Sequence, residues 1–253
     1  MCYRQANPYL LHRRTPCGSV PGSNISDAKR CAWIFNFAQG PKLASELLRV
    51  NAHSPEPNLL RYAADFLTRG RVVAVPTDTV YGLAADPFNL SAVEEIYRVK
   101  GRPETRALPI LVNSIDQALL LARDVPENFL RLAHEFWPGA LTLVVDAGHR
   151  LPLKVTANTG RVALRLPRSA IIAALIDEFD GPITGTSANF SGHPSCVSGA
   201  QVQEQLGKRL PLILDVGDLG TSLASTIVVL RGDEWKIVRE GIIPAADIEK
   251  IVF

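Results

Sequence analysis

Apolar and polar positions along this chain change period several times after residue 58, and each change predicts an element. Asn58 can cap a helix whose apolar positions Leu59, Leu60, Ala63, Phe66 and Leu67 recur at helical spacing, with Gly70 placed to end it. A short, wholly apolar run, Val72 to Val75, then predicts a buried strand that Pro76 stops. Ser91 opens a second helix over 92–99. Beyond it, strands are expected at 108–112, 141–145, 162–166, 183–186 and 212–214, and helices at 115–122, 127–135, 169–178 and 200–206. Thr226 to Leu230 and Trp235 to Val238, joined by Arg231-Gly232-Asp233, read as a hairpin. Strands that mostly alternate with helices, with a hairpin at the end, argue for an α/β domain around a twisted, open, mixed sheet with flanking helices. The loops after its strand ends are the expected ligand site.

The first 58 residues lack such periodicity. Pro8, Pro16, Pro21, Pro41, Pro55 and Pro57 punctuate them, so they are read as a flexible, dispensable leader, with the domain spanning 59–253. Met1 is the only methionine, so a true start nearer Leu59 would leave no internal trace; a transit peptide is the third reading. Charge follows the same division. Seven of the 27 basic and three of the 25 acidic residues fall in the leader, so it carries +4 and the remainder −2. A domain of net −2 is no general polyanion binder, and an anionic ligand must be held by a few placed cations. No apolar run approaches the roughly 20 residues of a membrane-spanning helix. Three of the four cysteines lie in the leader and Cys196 stands alone in the domain, which excludes a disulfide framework there and suits the reducing cytoplasm.

Three polar segments interrupt the apolar scaffold. Pro76-Thr77-Asp78-Thr79-Val80-Tyr81-Gly82-Leu83 gathers hydroxyls, a carboxylate and a phenol after a strand, enough to hold a zwitterion; the plain alternative is a local Asx turn. Lys100-Gly101-Arg102-Pro103 puts two cations at a helix end, able to face one polyanion or merely to complement the helix dipole. Thr186-Ser187-Ala188-Asn189 with Ser191-Gly192 offers small donors for a phosphate, or is a simple strand-to-loop turn. Arg165 and Arg239 close their strands and are further candidates. The P-loop, GxGxxG, HExxH and GxSxG patterns are all absent, so a nucleophile elbow and a His-based metal site have no support.

Taken in order, PTDTVYGL (76–83), KGRP (100–103), WPGALTLV (137–144), VALRLP (162–167), TSANFSG (186–192), STIV (225–228) and VREG (238–241) resemble the YrdC-type threonylcarbamoyl-AMP synthases of the single-domain type. The resemblance implies a YrdC-like fold with a concave, positively charged ligand cavity. It implies a nucleotidyltransferase that joins L-threonine, bicarbonate or CO2, and ATP, releasing pyrophosphate, with Mg2+ accompanying the nucleotide. The product would feed a downstream tRNA threonylcarbamoyl transferase. By motif, Thr79, Tyr81, Arg165 and Ser225 would bind threonine. Lys100, Arg102, Ser187, Asn189 and Arg239 would bind ATP, with Lys100 and Arg102 as the catalytic cations and no protein-held metal. Arg161 and Val229 depart from the family pattern and are given no role. A carbamoyltransferase-related protein and an RNA-binding module, with weak tRNA binding, are the rival readings.

Overall fold

A computed structural model describes residues 45–252 of the chain. In chain order the first elements are β1 (Glu46–Arg49), α1 (Pro57–Thr68), β2 (Val73–Val75), β3 (Gly82–Ala84), α2 (Leu90–Lys100) and β4 (Ile110–Leu111). Next come α3 (Ile115–Leu121), β5 (Ala122–Arg123), α4 (Glu127–Phe136), β6 (Leu141–Ala147), β7 (Arg161–Arg165) and α5 (Ala170–Phe179). The chain continues through β8 (Ile183–Thr184), β9 (Thr186–Ser187), α6 (Gly199–Leu206), β10 (Leu212–Asp215), β11 (Thr226–Arg231), β12 (Glu234–Arg239) and α7 (Ala245–Val252).

These strands form two sheets. One runs β1-β10-β2-β3-β9; the other runs β12-β11-β6-β7-β4-β8, with β5 pairing on β6. Both are mixed. In the first, β1, β10 and β2 are parallel while β2–β3 and β3–β9 are antiparallel. In the second, β11–β6 and β4–β7 are parallel and the remaining pairs antiparallel. The α/β expectation with a mixed sheet therefore holds, with one sheet resolved into two. The expected hairpin is β11–β12.

Helix ends follow their local chemistry. The Asn89 side chain accepts from the Ser91 and Ala92 amides, so α2 is capped two residues before the Ser91 expected to open it. Gly101 ends α2 in the left-handed region at φ 59°, a geometry open to glycine at no steric cost. In α1, Pro57 occupies the first turn after the N-cap Glu56, where a missing amide hydrogen costs nothing, rather than Asn58 capping the helix. The apolar stripe of α1, Leu60, Ala63, Ala64 and Leu67, packs with Ile171, Ile172 and Leu175 of α5.

The assumed leader extends too far. Residues 46–49 form β1, paired in parallel with β10 from Glu46↔Leu212 to Arg49↔Asp215, and Ser45 and Val50 at its ends are buried. The punctuation pattern hid this because the four residues are mostly exposed and their partner strand lies more than 160 residues away in sequence. The rest of the assumed leader, residues 1–44, lies outside the described residues. Among the described residues no helix is long and apolar enough to cross a membrane.

Candidate active site

Strand alternation builds the floor of the site. Along β6, Leu141, Leu143 and Val145 enter the core while Thr142 and Val144 face the other way; on β7, Val162 and Leu164 face in while Ala163 and Arg165 face out. Ile227 of β11 continues the outward row, and together these side chains floor a cavity of about 390 Å³. Its walls come from the ends of the other sheet and from loops: Thr77 to Gly82, Lys100 to Ala107, Gly185 to Asn189, and Ala224 and Ser225. All nine residues singled out from the sequence line this cavity.

Among the described residues five cations line it, Lys100, Arg102, Arg106, Arg165 and Arg239, and no carboxylate does. A domain of net negative charge thus concentrates positive charge in one concave place, where low-dielectric walls strengthen its field. Each of four cations is oriented by neutral oxygens or a single acid. The buried Lys100 ammonium donates to the carbonyls of Ser187 and, at 3.0 Å, of Asn189. Burial, with Arg102 nearby, lowers its pKa to about 8. Arg102 donates to Thr186 Oγ1 and the Ala107 carbonyl, both at 3.0 Å, while its buried Nε has no partner among the described residues. Burial lowers its pKa too.

Arg239 owes its aim to an irregularity. The register moves from Ile227↔Arg239 to Val228↔Ile237, leaving Val238 as an extra residue in β12, and such bulges re-aim neighbouring side chains. The Arg239 guanidinium then bonds the Ser225 carbonyl through Nε (3.0 Å) and Nη2 (2.7 Å), and Ser225 Oγ at 3.0 Å. Ser225 Oγ also meets Thr142 Oγ1 at 2.8 Å. Burial first, then Arg165, lowers the Arg239 pKa.

Arg165, at the end of β7, donates from all three of its nitrogens. Nε donates to the Gly139 carbonyl at 3.0 Å, Nη1 to Thr79 Oγ1 at 3.0 Å and Nη2 to Asp78 Oδ1 at 2.6 Å, leaving two of its five N–H bonds unspent. Asp78 is thereby an ion-pair partner of Arg165, a role the Asx-turn alternative misses. Thr77 donates to the Val80 carbonyl at 2.7 Å, so the 3.0 Å contact between the two threonine hydroxyls is a donation from Thr79 to Thr77. One hydrogen-bond chain from Val80 to Arg165 fixes the Thr79 hydroxyl.

Tyr81 departs from its expected part. Its ring is fully buried and its hydroxyl meets Asp215 Oδ1 (3.1 Å) and the Gly217 carbonyl (2.9 Å) while accepting from the Val216 amide (3.0 Å). Tyr81 is part of the lining, but neither Asp215 nor Gly217 is, so the hydroxyl itself is spent bracing the wall from behind. Asp215 also accepts from the Gly199 and Gly217 amides and pairs with Arg49. These contacts hold its carboxyl below the ordinary range despite burial. Arg161, given no role, sends Nη2 to the Val144 (3.2 Å) and Leu230 carbonyls and clips β7 to β6 and β11.

A family model of Sua5, YciO and YrdC proteins, described as telomere recombination, matches residues 65–241. The chain belongs to this family. The relatives are similar at full-domain scale. The Threonylcarbamoyl-AMP synthase of Pyrococcus abyssi is 38% identical over 195 residues, covering 76% of this chain and 57% of the relative; that of Homo sapiens is 35% identical over 204 residues, covering 76% and 72%. A crystal structure of P. abyssi Sua5 complexed with L-threonine superposes with a TM-score of 0.79 at 36% identity, covering 82% of this chain and 61% of that one. The chain thus spans a little over half the length of the archaeal relative. The structure of Escherichia coli YciO, at 22% identity and a TM-score of 0.72, shares the fold. Within this family cavity, Arg106 is a lining cation that sequence reasoning passed over; its position four residues after Arg102, in the same loop, was the available signal.

Proposed function

We propose that this family member is an L-threonylcarbamoyladenylate synthase, a nucleotidyltransferase that consumes L-threonine, bicarbonate or CO2, and MgATP. The observation that carries the reading is the cavity itself: among the described residues its lining holds five cations and no carboxylate, with hydroxyls along one wall and Arg165 held there by Asp78 from outside the lining. The names of the relatives and the threonine held by the Pyrococcus protein support it. In this reading Lys100, Arg102, Ser187, Asn189 and Arg239 hold ATP, with Lys100 and Arg102 neutralising the phosphates. The unspent N–H bonds of Arg165 meet the threonine carboxylate, and Thr79 and Ser225 lie beside it.

The chemistry needs no protein nucleophile. The amine of threonine takes up CO2 to give a carbamate; a carbamate oxygen attacks the α-phosphorus; the bond from that phosphorus to the bridging oxygen breaks and pyrophosphate leaves with the electron pair. Alignment and charge neutralisation supply most of the rate in such a displacement, which is what a ring of fixed cations provides. In this reading Mg2+ would enter as part of the nucleotide substrate, since the cavity lining among the described residues offers it no carboxylate. The product is a reactive mixed anhydride, and in this reading a transferase then moves its threonylcarbamoyl group to tRNA in the cytosol.

Pyrophosphate release from MgATP, L-threonine and bicarbonate, with each omitted in turn and serine replacing threonine, tests the proposal. Release that requires both threonine and bicarbonate is expected. No release from folded protein that binds ATP would overturn it, and salt-dependent tRNA binding by the same sample would then favour the RNA-binding reading.

A further inference from the structure

Arg209 lies outside the cavity, and an exposed arginine is ordinarily a solvated charge. Here its contacts converge on the end of α2. Nη1 donates to the carbonyls of Arg98 at 3.0 Å and Val99 at 3.4 Å in the last turn of α2, the first of which also accepts from the Gly101 amide at 3.3 Å. The same guanidinium sits 4.5 Å from the centre of the Phe190 ring, a distance at which cation and ring attract. Phe190 belongs to the loop that carries Ser187 and Asn189. Its amide donates to Gln205 Oε1 of α6 at 3.2 Å, and the ring faces Gly101.

The next residue of α2 connects these contacts to the site. The Lys100 carbonyl accepts from the Ser191 amide at 3.0 Å, and the Lys100 ammonium bonds the Ser187 and Asn189 carbonyls. The helix end and the loop therefore meet at two places, Lys100 on the cavity side and Arg209 on the outer side. Arg209 touches both on that outer side, through carbonyls of one and the aromatic ring of the other.

We propose that Arg209 is a positioning residue for the nucleotide half of the site, holding the α2 terminus and the Ser187–Asn189 loop at the separation that Lys100 requires. The inference rests on the synthase reading for its kinetic expression and on the geometry alone for its binding expression. Without Arg209 the Phe190 ring loses its guanidinium partner and the Val99 carbonyl turns to water, while the Arg98 carbonyl keeps only the Gly101 amide. The loop then relaxes relative to Lys100, while the Thr79–Arg165 wall, built on other elements, stays in place.

The test compares the full chain with Arg209→Ala and Arg209→Lys in the pyrophosphate-release assay, with a thermal melt of each. For Arg209→Ala the expected result is a KM for ATP raised by about tenfold, an unchanged KM for threonine and a melting temperature within a few degrees of the parent. Arg209→Lys should recover part of the loss, since an ammonium reaches a carbonyl but cannot lie flat on the ring. An unchanged KM for ATP, or equal rises for both substrates, would overturn the proposal. If the parent protein releases no pyrophosphate, the synthase reading fails by itself. Calorimetric titration with inorganic tripolyphosphate then decides: weaker binding by Arg209→Ala upholds the positioning role and equal binding removes it.

Discussion

A buried arginine that reaches a carbonyl, a hydroxyl and a carboxylate with three different nitrogens cannot be replaced by lysine, which offers one point charge. Arg165→Lys should therefore lose about 2 kcal/mol of stability, because Asp78 and the Gly139 carbonyl are left partly unmet in a buried place. It should also raise the KM for threonine well above any change in the KM for ATP. A chemical melt together with both KM values checks this, and a threonine KM equal to the parent's would remove Arg165 from that subsite. Lys100 makes a prediction of another kind. Its pKa, lowered to about 8 by burial and by Arg102, means that the folded protein sheds this proton before the unfolded chain does. The unfolded state then binds more protons, and this one group makes stability rise with pH from about 8 toward the ordinary lysine range. If Lys100 faces the phosphates as proposed, affinity for ATP moves the opposite way: it should fall as pH rises through about 8, because that cation is lost. Phosphate ionisation adds little over about pH 7–9.5, and the Cys196 thiol, pushed up to about 11 by its own burial, titrates above that window. Titrations of ATP across the window should show the fall in the parent and a weak, flat response in Lys100→Met; a flat parent would contradict the assignment. The types and spacing of these residues were legible in the chain, because a strand end followed by hydroxyls and cations is a local pattern. Which way a side chain points was not. Tyr81 looked like a ligand residue because a phenol in a polar loop has the right chemistry, and only its partner Asp215, 134 residues on, reveals that its hydroxyl is bonded behind the wall.

At the scale of elements, the Tyr81 hydroxyl and the Asp215 carboxylate form a joint between the start of β3, the end of β10, the first turn of α6 and β1. The joint sits behind the Thr77–Gly82 wall. Tyr81→Phe removes the hydroxyl while keeping the packed ring, leaving the Val216 amide and the Gly217 carbonyl without that partner. The expected cost is about 1–3 kcal/mol of stability. If the phenol served as a substrate ligand, the same change would raise the KM for threonine and spare stability. Equilibrium unfolding beside a threonine KM separates the two, and a stable variant with a raised KM would restore the ligand role. The same joint explains what pattern reading passed over. β3 is three residues inside a motif chosen for its polar neighbours, and β9 is two residues long; neither has enough positions to show a period of two. The bulge at Val238 is invisible for a related reason, since an extra residue registers only against a partner strand. The longer strands of the cavity floor, β6, β7 and β11, were legible because each alternates or runs apolar over five or more residues.

For the molecule as a whole, the decisive pairing joins the first described strand to one formed more than 160 residues later. β1 occupies the outer side of β10, where an uncovered strand would present unpaired amides and carbonyls and invite association with other chains. It also brings Arg49 to Asp215, buries Val50, and lets Ser45 Oγ bond the Gly207 and Leu210 carbonyls at the far end of α6. A chain shortened to begin at residue 45 keeps all of this; one beginning at residue 51 loses it, together with the Tyr62–Glu46 and Gln203–Ser45 hydrogen bonds and the packing of Leu48. The difference between the two should be about 2–4 kcal/mol, or roughly 5–10 °C in melting temperature, with more aggregation in the shorter one. Activity should follow stability instead of falling independently, because none of residues 45–50 lines the cavity. Melting curves and light scattering on the two truncations decide the matter. Equal stability would mean that β1 adds nothing to the fold and that the boundary near residue 58, suggested by proline and glycine punctuation alone, is the energetic one after all.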